Sequence, residues 1–563
     1  MENQTKERGT TSKKILIAAA WPYANGSLHL GHVSALLGGD IIARHARSLG
    51  KEVLFVSGSD CHGTPIAVEA DRQGIDPREI AEKYHKEFRQ DLIEKLGFSY
   101  DLYTTTTTDN HRRVVQELFT KLYADGAIYT KIEELPYCLS CKRFLPDRYI
   151  EGGCPICHFN DARGDQCDEC GNLLNPNQLI NPLCKICSNP PEWRPSEHFF
   201  LRLSAFQDQL KRWVEKSVGW RLNARQFTLG LLEQGIHDRA ITRDTEWGVP
   251  IPLPGYAGKS IYVWFEAVCG YLSASKEWSQ LKGRDDLWEK FWLDDSAVHY
   301  YVHGKDNIPF HTIIWPAILL GFGELHLPDR IISSEHLTLE KHQFSKSRHW
   351  AVLLNDFLRE FDPETLRYYL VANGPETADA DFSWENYRVR TNSELIGVFG
   401  NYIHRVLSFV KTYFPDGVEF PGKLSGPQAE LLEVAKKSFD TIGAAIEEGR
   451  LRDGLRLVFD LAAHGNRYIN TVAPWLSIKK DHLVAGADLA VAVHLARCLA
   501  ILVSPFLPAT AEKIGRSIES DGIKLEWQYP HQTGRTVVGV PEPLYRKIEE
   551  QTVVKQQSLL GGD

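Results

Sequence analysis

Apolar and polar positions along the first 130 residues follow two periods in turn. Ile15 to Ala20 is an unbroken apolar run, the mark of a strand buried on both faces. Helical spacing follows through Val33, Leu36, Leu37, Ile41 and Ile42, predicting a helix over 29–49 that ends at Gly50. A second strand is predicted over 52–57, with Asp60 just past its end. Asp76 as N-cap, Pro77 at the first helical position and Glu79 at the third predict a capping box for a helix that stops at Gly97. The five threonines at 104–108 read as a strand or loop leading to a helix capped at Asp109. This alternation predicts an α/β fold: a doubly wound parallel sheet with its ligand at the carboxyl edge of the strands.

The pattern breaks at 138–187, a stretch of knuckles and turns. Strands are predicted again at Ile261–Phe265 and Val298–Val302, and a helix at Phe310–Leu320. From about 390 the apolar spacing is helical throughout, as in Ile396, Phe399, Ile403, Val406, Leu407 and Val410, then Leu455, Val458, Phe459 and Ala462. It predicts an all-α bundle with its own core. Pro505, Pro508, Pro530 and Pro541 predict loops that wrap back. The resulting division is 1–128 and 236–335 for the two sheet halves and 129–235 for the insertion. Residues 336–395 form a loop and stem region, 396–530 the bundle, and 531–563 the returning segment.

Composition adds little until the cysteines. A chain of 563 residues, 43% apolar and 24% charged, has ample material for several cores. A net charge of −9 argues against indiscriminate nucleic-acid binding, so RNA contact would need a local patch. Residues 386–415 offer one, with Arg388, Arg390, Arg405 and Lys411 against Glu394. The polar start, Met1 to Lys14, has no secretory core, and no run of 18 uncharged apolar residues exists, so no membrane partner is expected. Eight of eleven cysteines form four Cys-x-x-Cys pairs, Cys138/Cys141, Cys154/Cys157, Cys167/Cys170 and Cys184/Cys187, separated by 12, 9 and 13 residues. In a large chain this spacing means zinc, two structural ions with four thiolates each, and a cytoplasmic setting.

Two short segments carry the candidate chemistry. His29-Leu30-Gly31-His32 falls at the first strand-to-helix turn, where unpaired backbone N–H groups and the helix dipole favour phosphate. Phe344-Ser345-Lys346-Ser347 is a loop-like sequence whose ammonium suits the far phosphates of a nucleotide. Either alone has a plain alternative, surface histidines or an ordinary loop. Asp60 alone would be a helix cap, Trp264 a core residue of a strand, and Arg405 a solvated charge.

Taken together, the two segments resemble the HIGH and KMSKS signatures of class I aminoacyl-tRNA synthetases. The resemblance is close to the methionyl-tRNA synthetase family over nearly the whole chain. It is carried by Pro22 to His32, Ser59 to Pro65, Phe144 to Tyr149, Tyr262 to Ala267 with Gly270-Tyr271, Gly304-Lys305-Asp306 and Phe310-His311. It implies a Rossmann-type catalytic domain with a zinc-knuckle insertion and a helical anticodon-binding bundle. It also implies an ATP site at His29, Gly31, His32, Gly304, Asp306, Ser345 and Lys346, with His29, His32 and Lys346 catalytic and Mg²⁺ accompanying ATP. A methionine site is implied at Trp21, Tyr23, Asp60, Trp264, Ala267, Tyr271, Ile308 and His311. Anticodon contacts are implied at Asn401, Arg405 and Trp475. The middle two knuckles are expected to share one zinc and the outer two the other. The implied partners are ATP, L-methionine and methionine tRNA, initiator and elongator, and the expected state is a monomer.

Three positions depart from the family pattern. Gln343 stands where the second signature begins with Lys, Phe344 replaces Met, and Trp21 replaces a Leu at the pocket edge. Leucyl, isoleucyl and valyl synthetases carry a large editing insertion where this chain has its knuckles, and the cysteinyl enzyme uses a catalytic-site zinc that these knuckles do not supply. A non-catalytic tRNA-binding paralogue is the alternative from another class, and intact His29, His32, Asp60 and Lys346 argue against it.

Overall fold

The computed structural model describes residues 13–164, 167, 169–170, 174–345, 349–531 and 534–561. Five parallel strands form the central sheet: β1 (Lys14–Ala19), β2 (Glu52–Ser59) and β3 (Leu102–Thr105), then β6 (Val298–Gly304) and β7 (Arg330–Ser334) after the insertion. Their order is β7-β6-β1-β2-β3. β1 lies at the centre, with Ile17 opposite both Phe55 and Tyr300, so the chain leaves it towards β2 on one side and returns to β6 on the other. That reversal opens a crevice at the carboxyl ends of β1 and β6.

Helix α1 (Leu30–Ser48) follows β1, α2 (Thr64–Gln73) and α3 (Pro77–Arg89) follow β2, and α4 (Asp109–Ala124) follows β3. Two capping expectations need correction. Asp76 caps α3 through the Arg78 N–H, while the Glu79 N–H bonds to the Asp76 carbonyl, so the reciprocal box with Glu79 is not the device used. Thr108, not Asp109, caps α4, because its hydroxyl reaches the His111 N–H and leaves Asp109 as an acidic first-turn residue.

The insertion leaves on β4 (Ile128–Cys138) and returns on β5 (Glu192–Leu201), an antiparallel ribbon in register from Ile128↔Leu201 to Tyr137↔Glu192. The ribbon carries the knuckles at its tip on a three-stranded sheet of Ile150–Gly153, Ala162–Arg163 and Ile180–Cys184. The apolar contacts there are few, chiefly Leu145, Tyr149, Ile150, Ala162, Leu174 and Leu179 together with cysteines.

Ile261–Phe265 corrects the strand expectation. Only Ser260–Ile261 is a strand, and Val263 begins α5 (Val263–Leu281). A β-branched and aromatic run mimics a buried strand, but here the helix is buried on most of its faces, so helical periodicity is weak in its first turns.

The helical region holds α6 (Asn401–Tyr413), α7 (Gly426–Glu447), α8 (Leu451–Val472), α9 (His482–Val503) and α10 (Pro508–Ile518). Helix α9 is long and apolar enough to cross a membrane, yet 89% of its apolar window is buried among its neighbours. The expectation of a core belonging to the bundle alone is corrected: Ile17, Val302 and Leu37 of the sheet layer share one continuous apolar cluster with Leu461, Leu495 and Val503. The charge patch is also smaller than the sequence suggested. Arg388 pairs with Glu385 at 2.6 Å and Arg390 with Glu394 at 2.9 Å.

Candidate functional site

The first signature is a helix cap built from two histidines. His29 has extended backbone and caps α1; its Nδ1 accepts the Gly31 N–H at 3.1 Å, while His32 Nδ1 accepts the His29 N–H at 3.1 Å. A capping box made of two imidazoles has a chemical consequence. With each Nδ1 used as an acceptor, the neutral ring carries its proton on Nε2, a donor suited to an anion at the helix end. The two rings lie 3.8 Å apart. A Cβ on Gly31 would come within 2.9 Å of the His29 ring, so glycine is required for this cap.

The second signature docks on the first. Phe344 stacks on His29 at 4.6 Å with planes 8° apart. Ser345 and Trp350 exchange backbone hydrogen bonds at 2.8 and 2.9 Å, closing the loop base, and Trp350 Nε1 donates to the Leu339 carbonyl. Lys346 lies outside the described residues. Gly304 ends β6 beside Ala35 of α1, at the crevice. Asp306 follows it, exposed, and bonds His336 Nε2 at 3.0 Å, which holds its carboxyl below the usual range.

Across the crevice is a second, more enclosed site. Asp60 pairs with Tyr23 as a parallel bridge, its N–H donating to Pro22 and its carbonyl accepting from Ala24. Burial, then the charge of Glu266, raises the Asp60 carboxyl well above its ordinary value, and Oδ1 has no hydrogen-bond partner. The Trp21 indole fills a slot between strand and helix: a Cβ on Gly58 would meet it at 2.7 Å, and one on Gly270 at 2.9 Å. Trp264, Ala267 and Tyr271 follow a helical spacing along α5, so correcting the strand to a helix keeps them on related faces. Tyr271 Oη and His311 Nε2 are 2.6 Å apart, and His311 Nδ1 is 2.8 Å from the Asn307 carbonyl. Burial lowers His311 to about 4, so the ring is neutral. Ile308 is buried in the same apolar cluster as Trp21 and Tyr271. His303, stacked on His311 at 4.2 Å, was not anticipated. Nor was Thr106, whose hydroxyl accepts the Cys61 N–H at 2.9 Å and fixes the turn after Asp60. A run of identical threonines gave no signal separating it from its neighbours.

The cysteines gather into two quartets, Cys138, Cys141, Cys184 and Cys187, and Cys154, Cys157, Cys167 and Cys170. Outer knuckles pair with outer, and middle with middle. Four thiolates at about 2.3 Å from a tetrahedral ion lie roughly 3.8 Å from each other. The contacts here are 3.4 Å for Cys138–Cys187, 3.9 Å for Cys141–Cys184, 3.9 Å for Cys154–Cys170 and 3.5 Å for Cys157–Cys167. Both quartets could hold a metal ion.

In the bundle, Arg405 lies 5.1 Å from the Trp475 ring centre and bonds Asn470 at 2.9 Å, while Asn401 reaches Asn466 at 3.5 Å. Ala473, at φ +42°, turns the chain from α8 into the short helix that carries Trp475. One exposed end of the bundle thus presents an indole, a guanidinium and several amides.

A family profile described as "tRNA synthetases class I (M)" matches residues 15–407. The chain belongs to the class I tRNA synthetases. A second profile, "Anticodon binding domain of methionyl tRNA ligase", matches residues 419–563, and the family is that of the methionyl-tRNA synthetases. A "Methionine--tRNA ligase" of Dehalococcoides mccartyi is 47% identical over 557 residues, covering 98% of this chain and 100% of that protein. A "Methionine--tRNA ligase 2" of Bacillus cereus is 44% identical over 551 residues, covering 97% and 99%. The fold is similar to that of Mycobacterium tuberculosis methionyl-tRNA synthetase bound by methionyl-adenylate, with a TM-score of 0.78 at 23% identity over 95% of this chain and 100% of that one.

Proposed function

We propose that this enzyme activates L-methionine with ATP, releasing pyrophosphate, and transfers the methionyl group from methionyl-adenylate to the 3′-terminal adenosine of methionine tRNA, initiator and elongator. The observation that carries the reading is the juxtaposition, at one sheet edge, of a histidine-capped helix docked by the second signature loop and a buried aromatic cluster around Asp60.

The chemistry is in-line attack of the amino-acid carboxylate on the α-phosphate, with pyrophosphate as leaving group. The protein positions both reactants and stabilises charge that develops on phosphate oxygens. His29 and His32 donate through Nε2, Gly31 lets the backbone approach, and Lys346 supplies charge to the departing pyrophosphate. Asp306, beyond Gly304, accepts from ribose hydroxyls, and Ser345 closes the loop over the nucleotide. Mg²⁺ accompanies ATP as its counter-ion. Asp60 holds the substrate ammonium. Trp21, Tyr23, Trp264, Ala267, Ile308 and the Tyr271–His311 pair form an apolar, aromatic enclosure with one hydroxyl, which suits a polarizable thioether. Asn401, Arg405 and Trp475 read unstacked anticodon bases by stacking and hydrogen bonding. Each thiolate quartet holds a structural Zn²⁺. The enzyme acts as a monomer in the cytoplasm.

The test is ATP–pyrophosphate exchange with each amino acid in turn. Exchange driven by methionine supports the reading, and exchange driven by leucine or cysteine but not methionine overturns it.

A further inference from the structure

Beneath Asp60 lies a group of buried ionisable side chains that the reaction scheme leaves unused. Glu266, on α5, is fully buried. Its Oε1 is hydrogen-bonded to His62 Nδ1 and lies 3.5 Å from His111 Nε2 of α4. His111 is anchored in turn by Ser273, 2.8 Å from its Nδ1. Burial alone would push the Glu266 carboxyl up, but His62 and His111 outweigh it and hold the group at about 2, ionised at neutral pH. His62 joins the two carboxylates: its backbone N–H donates to Asp60 and its ring bonds Glu266. Two carboxylate oxygens in this group, Asp60 Oδ1 and Glu266 Oε2, are buried without a hydrogen-bond partner.

Unpaired buried carboxylate oxygens are costly, and a protein keeps them where something must meet them. Packing does not account for Glu266, because an apolar side chain of the same size would fill the space without two buried histidines to hold it. Its effect on Asp60 is to make that carboxylate harder to ionise alone and more welcoming to a cation, since two anions share one buried neighbourhood.

We propose that Glu266 is a positioning residue of the amino-group subsite: pinned by His62 and His111, it supplies a second negative charge that makes the pocket select a protonated amine at Asp60. This inference rests on the proposed methionine-activating function and goes beyond it by assigning the source of the subsite's selectivity for charge. Glu266 and His62 fall within segments that carry the sequence resemblance, but the resemblance implies no role for either of them or for His111.

The experiment compares two ligands on one protein. L-Methioninol keeps the ammonium and lacks the carboxylate; des-amino methionine keeps the carboxylate and side chain and lacks the ammonium. Methionine-dependent exchange by the unaltered enzyme is measured first, and its failure would count against the function, not against Glu266. In Glu266→Gln, which keeps the shape, the ratio of the two dissociation constants should move against methioninol by on the order of tenfold, the scale of one neighbouring opposite charge in a partly buried site. Glu266→Asp, which keeps the charge, should retain most of the preference for the amine. Because both ligands are read on the same preparation, a partly misfolded variant lowers both and leaves their ratio intact. An unchanged ratio in Glu266→Gln, or an equal loss in the Gln and Asp variants, would reduce Glu266 to a structural role and overturn the proposal.

Discussion

At the scale of single residues, Trp21 shows how a departure from a family pattern is accommodated. The indole fits because the positions facing it on the second strand and on α5 are Gly58 and Gly270, where any Cβ would overlap it. Gly270→Ala should therefore displace the ring and raise the KM for methionine at least several-fold, because interiors are close-packed and a misplaced aromatic cannot be absorbed. Trp21→Leu should relieve that overlap, so the double variant should recover part of the loss and accept longer side chains than methionine. Steady-state exchange with methionine and with longer analogues measures both effects, and strict additivity of the two substitutions would show that they do not touch. Asp60 carries a separate expectation. Burial and Glu266 raise its carboxyl, so it takes up a proton at a pH above the ordinary carboxylate range. If the ionised form holds the ammonium, as proposed, methionine affinity should fall on acidification before an exposed carboxylate would titrate, while a pH-independent KM down to the ordinary range would exclude Asp60 as the ammonium partner. The sequence located Asp60 through its place beyond a strand. It did not reveal His303, Thr106 or the Glu266 group, because a buried histidine or glutamate carries no periodic signal and acquires its role from partners far along the chain.

Among the elements, those with strong local signals were legible and those buried on several sides were not. The first strand, its helix and the four knuckles read directly, since an apolar run, a helical period and Cys-x-x-Cys each arise within a few residues. Val263–Leu281 did not: its aromatic start imitates a strand, and the Trp264, Ala267 and Tyr271 spacing becomes informative only once a helix is assumed. The knuckle lobe has few apolar contacts, so an ion in each thiolate quartet would contribute much of its folding free energy. Metal analysis should give two zinc ions per chain, and chelation should unfold the lobe while leaving the sheet intact. One ion, or none, in protein never exposed to chelator would contradict this. The Trp475 turn makes a different claim. The indole is half-buried under Arg405, and Ala473 presents it from a left-handed turn. Trp475→Ala should weaken tRNA charging by roughly tenfold to a hundredfold, the cost of about 1–3 kcal/mol for one stacking platform, and leave exchange unchanged. A large fall in melting temperature with equal loss of both activities would assign the indole to the core instead.

The whole molecule is held together more tightly than a chain of separable domains. One apolar cluster runs from the sheet into the bundle, and a buried ion pair pins the junction. Arg367 and Asp40 are both fully buried and meet at 2.7 Å. Arg367 also donates to the carbonyls of Phe506 at 2.8 Å, Pro505 at 3.2 Å and Leu96 at 3.3 Å, while Asp40 accepts from Arg44 and from Ser99. One guanidinium thus ties the helix after the first signature to the end of the bundle's most buried helix. Removing one partner of such a pair leaves a buried charge and several carbonyls without donors, which typically costs about 3–5 kcal/mol. Arg367→Ala should lower stability by an amount near the low end of that range, since Arg44 and Ser99 still hold Asp40. The pH dependence fixes the sign. Burial pushes the Asp40 carboxyl up, but Arg367 and Arg44 outweigh it and hold it below its ordinary value. Its contribution to stability is therefore present above the unfolded value of about 3.9 and is lost as pH falls through the lower folded value. Without Arg367 the depression shrinks, so acid unfolding should begin at a higher pH. Urea denaturation across a pH series measures both effects. A loss below about 1 kcal/mol with an unchanged acid limb would mean that this ion pair adds little to the junction, which would then rest on the apolar cluster and on other polar contacts such as Lys51–Glu447 at 3.0 Å.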